Sequence, residues 1–113
     1  MVARRATPHD APVIARIYNE GILDRLGTFE TRERSVDDVR QWFDERHPIV
    51  VVEHNGAVVA FASTSSYSPR EVYAGIAEFS VYVTQAMRGC GAGRVAMTAL
   101  IEAAREAGYW KLV

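Results

Sequence analysis

The apolar residues fall in short blocks whose period changes along the chain, and the changes mark the elements. Ala3 to Ala6 reads as a first strand. Thr7-Pro8-His9-Asp10 reads as a helix start, with Thr7 as N-cap, Pro8 in the first helical position and Asp10 near the positive end of the dipole. Val13, Ile14, Ile17 and Tyr18 continue it as an apolar stripe at helical spacing. Gly21 weakens that helix, and Gly27 is expected to end it, with Phe29-Glu30-Thr31 in a turn or short extended piece. Ser35 with Asp38 three residues on signals a second, short helix whose stripe is Val36, Val39, Trp42 and Phe43, stopped by Pro48. Ile49 to Glu53 is β-branched. Asn55-Gly56 then predicts a hairpin, because both turn positions need positive φ, and Ala57 to Ser65 is the returning strand.

Tyr67 to Gly75 reads as a loop, and Glu78 to Val83 alternates. Phe79, Val81 and Val83 are expected on one face, Glu78, Ser80 and Tyr82 on the other. A glycine-rich turn from Met87 to Gly93 leads into an alanine-rich helix, Arg94 to Ala107, stopped by Gly108. Its sheet-facing residues are expected to be Val95, Ala99, Leu100, Ala103 and Ala107. Tyr109 to Val113 begins another strand. The order is β-α-α-β-β-β-α-β, with a meander followed by a βαβ unit.

Composition narrows the function. At 113 residues the chain holds one domain at most, with 49% hydrophobic and 24% charged residues. Net charge is −1, without the basic excess of a nucleic-acid binder. No apolar run is long enough to span a bilayer, and no secretory signal is visible, so the expected setting is the cytoplasm. The single cysteine, Cys90, excludes an internal disulfide and a cysteine-based metal cluster. His9, His47 and His54 have no ligand spacing, so no metal is expected, and Trp42 and Trp110 are read as core.

The chemistry concentrates in Arg88-Gly89-Cys90-Gly91-Ala92-Gly93-Arg94, after a strand and at the head of a helix. Unpaired amides at a helix N-terminus, glycines that let a ligand approach, and the helix dipole together make a phosphate cradle, rimmed here by Arg88 and Arg94. The bland reading is a tight strand-to-helix turn. A P-loop would need Gly-Lys-Ser/Thr where Arg94-Val95 stands, and the spacing from Gly89 is G-x-G-x-G, not G-x-G-x-x-G.

The segment matches the R/Q-x-x-G-x-G/A pyrophosphate loop, and the element order resembles the fold, of the GNAT superfamily of acyl-CoA N-acyltransferases. Ile17-Tyr18-Asn19-Glu20, Thr28-Phe29-Glu30-Thr31 and Ala77-Glu78-Phe79-Ser80-Val81-Tyr82-Val83 resemble its phosphinothricin acetyltransferase branch. The resemblance implies an α+β fold: a mixed, mostly antiparallel sheet flanked by helices, with residues 1–113 forming a single domain that lacks its C-terminal third. It implies acetyl-CoA as co-substrate and a small amino acid as acceptor, of the phosphinothricin, methionine sulfoximine or arsinothricin type, with detoxification as the outcome. Glu78 is then the base that takes the amine proton, or else an exposed strand residue. Val81, Tyr82 and Val83 and the loop Arg88, Gly89, Cys90, Gly91, Ala92, Gly93 and Arg94 hold the donor, with Cys90 a bystander to the chemistry. Phe29, Glu30 and Arg70 line the acceptor site, or else Arg70 is a solvated loop residue and Phe29 is core. A last strand left with an open edge is expected to be covered by further polypeptide or by a neighbouring chain, or else to leave the fragment marginal; the expected assembly is a homodimer. The competing reading is a non-catalytic acyl-CoA-binding or assembly module.

Overall fold

The computed structural model describes residues 1–23, 33–67 and 74–113. Among these, strands β1 (Val2–Arg5), β2 (Ile49–His54), β3 (Ala57–Ser66), β4 (Ile76–Val83) and β5 (Lys111–Leu112) form one sheet in sequential order. β1 to β4 are antiparallel neighbours, and β5 joins β4 in parallel through Ile76 opposite Lys111 and Ala77 opposite Leu112. The Asn55-Gly56 turn has the expected positive φ at both residues, 53° and 81°.

Helices α1 (Ala11–Leu23) and α2 (Val36–Arg40) cover one face, and α3 (Ala92–Glu106) the other. Alternation along β3 divides the core between them. Ala60 and Ala62 pack with Val50, Val52, Ala96 and Leu100 beneath α3. Phe61, fully buried, packs with Val51, Ile14, Ile17 and Val39 beneath α1 and α2.

The helix starts are built as the sequence predicts, with differences of detail. Ser35 accepts a hydrogen bond from the Asp38 amide while the Asp38 carboxylate accepts one from the Ser35 amide, closing a capping box. α2 ends at Arg40, so Trp42 and Phe43 lie just beyond it, in a turn, yet still pack on the same core. Thr7 is extended and precedes a single 3₁₀ turn, Pro8–Asp10, before α1 begins. α1 runs through Gly21, where a Cβ would come within 2.9 Å of the Tyr82 ring, so glycine there admits a strand aromatic.

Three readings are corrected. α3 starts at Ala92, two residues before the expected Arg94, and its buried residues are Ala92, Ala96, Leu100, Ala103 and Ala104. Val95 and Ala99 lie at the margin of this stripe, and Ala107, its C-cap, is exposed. Trp110 is not core: it is 72% exposed at the sheet margin, its amide bonded to the Gly75 carbonyl and its ring against the Gly75 backbone. β4 begins at Ile76, where pairing with β5 starts, rather than at Glu78.

Asp10 locks the β1–α1 corner. Its carboxylate, 7% exposed as a residue, accepts two hydrogen bonds from the Arg4 guanidinium at 2.8 and 2.9 Å and one from the Thr7 amide at 2.8 Å. The Arg4 bonds, and secondarily the Thr7 amide, outweigh burial and hold the carboxyl below its ordinary value. A depressed folded-state value contributes stability that is present above the unfolded value, about pH 4, and is lost as pH falls through the folded one. Asp10→Ala should therefore lower stability by about 2 kcal/mol at pH 7, less than for a fully buried pair because Arg4 is partly solvated. Urea melts between pH 2 and pH 7 check this. The parent should lose stability below about pH 4, and the variant should show less of that loss. Equal acid sensitivity of the two proteins would remove Asp10 as its source.

Candidate active site

β4 carries the site because its two sides face different surroundings. The Thr84 amide donates to the Val59 carbonyl and the Phe79 amide to the Val113 carbonyl. Even-numbered residues of β4 therefore bond to β3, and Phe79, Val81 and Val83 turn their amides to the β5 side. β5 pairs only with the start of β4. Past Phe79, no strand among the described residues covers that edge, and the amides of Val81 and Val83 lie along it.

The glycine segment sits at the end of this edge. Thr84 leads into a 3₁₀ turn, Gln85–Met87, and then to Gly89 and Gly91 with φ of 83° and 89°. Gly91 is the N-cap of α3 in the left-handed region, where glycine is the residue without penalty. The Val95 amide bonds to the Gly91 carbonyl, so Ala92, Gly93 and Arg94 present the three amides that precede the first intrahelical bond. A Cβ at Gly89 or Gly91 would meet nothing within 4 Å, so the space above the loop is open. Gly93 lies against Val83 and Val81, setting the helix start down on β4. Arg88 Nε reaches the Val83 carbonyl at 3.4 Å. Cys90 is free and exposed. An edge of strand amides running into a helix N-terminus fits an extended thioester arm ending in a pyrophosphate.

On the other face of the sheet lies a cavity of about 430 Å³ between α1, α2 and the strands. Its floor is the register pair Ser63 and Ser80, with Ser65 beside them, opposite Glu78. Its aromatic wall is Tyr18, Trp42 and Tyr82. Tyr18 packs edge-on against Trp42 at 5.6 Å and lies 5.0 Å from Tyr82, which stacks on Phe61 at 5.3 Å. Tyr82 thus points away from α3 and the glycine segment and packs as a strand aromatic. Trp42, half-buried, is wall as well as core. Glu78 is exposed, on the cavity face of β4 by the same alternation that places Ser80 and Tyr82 there. Phe29, Glu30 and Arg70 lie outside the described residues.

The Ile17-Tyr18-Asn19-Glu20 motif acquires a physical meaning. Ile17 is core and Tyr18 is cavity wall. The Asn19 side chain grips the Arg34 backbone, its amide donating to the Arg34 carbonyl at 2.9 Å and its oxygen accepting from the Arg34 amide at 2.8 Å. Glu20 accepts from the buried Thr84 hydroxyl at 3.0 Å, tying α1 to the point where β4 turns into the glycine segment.

Sequence reasoning missed two features of the cavity. Arg34 lines it, with its guanidinium carbon 5.4 Å above the Tyr18 ring. His47 does too, bridging Asp44 Oδ2 at 2.7 Å through Nδ1 and Ser66 Oγ at 3.1 Å through Nε2. Burial pushes the Asp44 carboxyl up. Hydrogen bonds from the His47 ring and from the amides of Arg46 and His47 outweigh that and hold it low. The His47 ring also stacks on Tyr109, whose hydroxyl donates to the Arg46 carbonyl. Among the described residues no group of three or more His, Cys, Asp or Glu could hold a metal, and no helix is long and apolar enough to cross a membrane.

Comparison with known proteins places this geometry. Residues 14–113 match the acetyltransferase (GNAT) family. The L-methionine sulfoximine/L-methionine sulfone acetyltransferase of Salmonella typhimurium is 32% identical over all of this chain and 68% of its own length. The fold superposes on an acetyltransferase of Salmonella typhimurium with its cofactor acetyl-CoA at a TM-score of 0.87 and 32% identity, covering 96% of this chain and 65% of that one. It superposes on a phosphinothricin acetyltransferase of Sinorhizobium meliloti in complex with acetyl-CoA at 0.81 and 27% identity, covering 93% and 60%. The chain thus spans about two thirds of the length of these proteins.

Proposed function

Because the chain belongs to the GNAT acetyltransferase family, with acetyl-CoA as its donor, we propose that it acetylates the α-amino group of a small acidic amino acid or analogue of the phosphinothricin or methionine sulfoximine type. The observation that supports the reading is the edge of β4 that no strand among the described residues covers, leading directly into the three N-terminal amides of α3 that precede its first intrahelical bond. Acetyl-CoA supplies a thioester activated toward amines. The amides of Ala92, Gly93 and Arg94, with Arg88 and Arg94 at the rim, receive its pyrophosphate. The amides of Val81 and Val83 align its arm, and one of them helps to polarise the thioester carbonyl. The acceptor enters from the cavity face.

An ammonium has no lone pair, so the amine must lose a proton before it can attack. Glu78 takes that proton, directly or through one water. The nitrogen–carbon bond then forms as the carbon–sulfur bond breaks, and the thiolate leaves. Arg70, Phe29 and Glu30 complete the acceptor site in this reading. Capping the amine of a toxic analogue would detoxify it, and assembly as a homodimer belongs to the same proposal.

The test is release of free thiol from acetyl-CoA by the purified protein, with phosphinothricin, methionine sulfoximine and arsinothricin as acceptors. Acceptor-dependent thiol release with an N-acetylated product is the expected result. Tight CoA binding with no turnover on any of them would identify a binding module instead.

A further inference from the structure

Asp44, His47 and Ser66 line the cavity together and form a hydrogen-bonded chain that the proposed acetyl transfer does not use. Asp44 Oδ1 accepts from the amides of Arg46 and His47 at 2.8 and 2.7 Å, while Oδ2 meets the His47 ring, 2.7 Å from Nδ1. A carboxylate can only accept, so the neutral imidazole carries its hydrogen on Nδ1 and its lone pair on Nε2. Nε2 lies 3.1 Å from Ser66 Oγ. The serine hydroxyl then donates to Nε2, and the ring donates onward to Asp44.

The ring is held in this orientation from other sides. It stacks on Tyr109 at 6.1 Å with 22° between the planes, and the Tyr109 hydroxyl donates to the Arg46 carbonyl at 3.0 Å. One residue past His47, the Pro48 carbonyl accepts from the buried Thr64 hydroxyl at 2.9 Å, which ties His47 to the end of β3 where Ser66 stands. The His47 side chain is only 12% exposed, whereas Ser66 is exposed and open to a reagent. A serine hydroxyl is a weak nucleophile unless a base takes its proton as the new bond forms, and a base within hydrogen-bond reach, itself oriented by a carboxylate, is the arrangement that meets this need. The aromatic wall of the cavity suits the apolar part of a small ester.

We propose that Ser66, His47 and Asp44 act as nucleophile, base and orienting carboxylate, and give the protein a second activity, the hydrolysis of small activated carboxylic esters. Ser66 Oγ bonds to the acyl carbon as its proton passes to Nε2, the ester carbon–oxygen bond breaks, and the alcohol leaves with that proton. A water then gives a proton to Nε2 and bonds to the acyl carbon, and the serine oxygen leaves and recovers its hydrogen. Neither Glu78 nor acetyl-CoA takes part.

The test treats the purified protein, without CoA, with a fluorophosphonate, from which a base-activated serine displaces fluoride to leave a stable phosphorus–oxygen bond. Peptide mass spectrometry should find the adduct on Ser66. His47→Gln should slow its formation about 100-fold or more, and Asp44→Asn roughly tenfold or more. Nitrogen NMR of the His47 ring separates orientation from packing: the parent should carry its hydrogen on Nδ1, and Asp44→Asn should lose that preference. Ser66→Ala should lower the hydrolysis of p-nitrophenyl acetate at least tenfold. No adduct on Ser66 in the parent, or one formed as fast in His47→Gln, would overturn the proposal. So would ester hydrolysis that does not depend on Ser66. Should His47→Gln fail to fold, labelling of Asp44→Asn at the parent rate would overturn it equally. None of these results bears on the acetyltransferase reading.

Discussion

Glu78→Gln should cut turnover at pH 7 by about 100-fold or more, with a smaller effect on KM. The substitution keeps the shape of the side chain and replaces a basic carboxylate by an amide that does not take up a proton near neutral pH. The expected pH dependence separates this role from a packing role. An α-amine becomes neutral by itself as pH approaches its own value, near 8 to 10. The deficit of the variant should therefore shrink as the assay moves from pH 7 toward pH 9.5, while a merely structural defect would be constant across that range. Glu78 is exposed and stands at the register pair with Ser65. Little folding energy depends on it, so a circular dichroism melt should match the parent. Turnover at the parent level at pH 7 would remove Glu78 from the mechanism.

Gly91→Asp should weaken CoA binding by at least tenfold in calorimetry. Gly91 caps α3 at φ 89° and ψ 1°, and the space beyond its Cα is open. An aspartate tolerates the left-handed region better than most residues. Its carboxylate would stand at the amides of Ala92, Gly93 and Arg94, where it repels an incoming pyrophosphate and competes for the same donors. Gly91→Asn is the matched control, with similar backbone strain and size but no charge. Affinity for the asparagine variant should stay within a few-fold of the parent. If the two variants bind CoA equally weakly, backbone strain rather than charge is responsible. If both bind like the parent, the glycine segment is not the pyrophosphate site.

What could be read from the sequence was whatever is written locally. The Ser35-Asp38 box, the Asn55-Gly56 turn and the glycine spacing before α3 each declare themselves within a few residues, because each answers to φ or to a helix end. The stripe of α3 was misread because it is made of alanines. Ala92, Ala96, Ala103 and Ala104 face the sheet while Ala99 lies at the margin and Ala107 is exposed, and a residue type that is indifferent to its surroundings gives the phase no anchor. Trp110 was misread for a different reason: at the margin of the sheet its indole lies on the Gly75 backbone and, among the described residues, is left 72% exposed. Glu78 and the glycine segment, the base and donor site of the proposal, could be read together because they share one strand and the turn that follows it. The cavity could not, because its walls are joined by contacts between distant positions: Asn19 reaches Arg34 and His47 reaches Ser66, just as Glu20 reaches Thr84 across 64 residues at the head of the glycine segment. No local period records such a meeting, and only the fold brings it about.

The alternation of β3 has an evolutionary consequence. Because Ala60 and Ala62 belong to one cluster and Phe61 to the other, a single strand separates two sets of neighbours that scarcely share a side chain. Substitutions around Phe61, Tyr18 and Trp42 can reshape the chamber on one side while the methyl-lined seat of α3 keeps its height above the sheet. Mutations on opposite sides should then combine nearly additively. A lineage could therefore exchange one acceptor for another in small steps, each without loss of the machinery that presents the acetyl group.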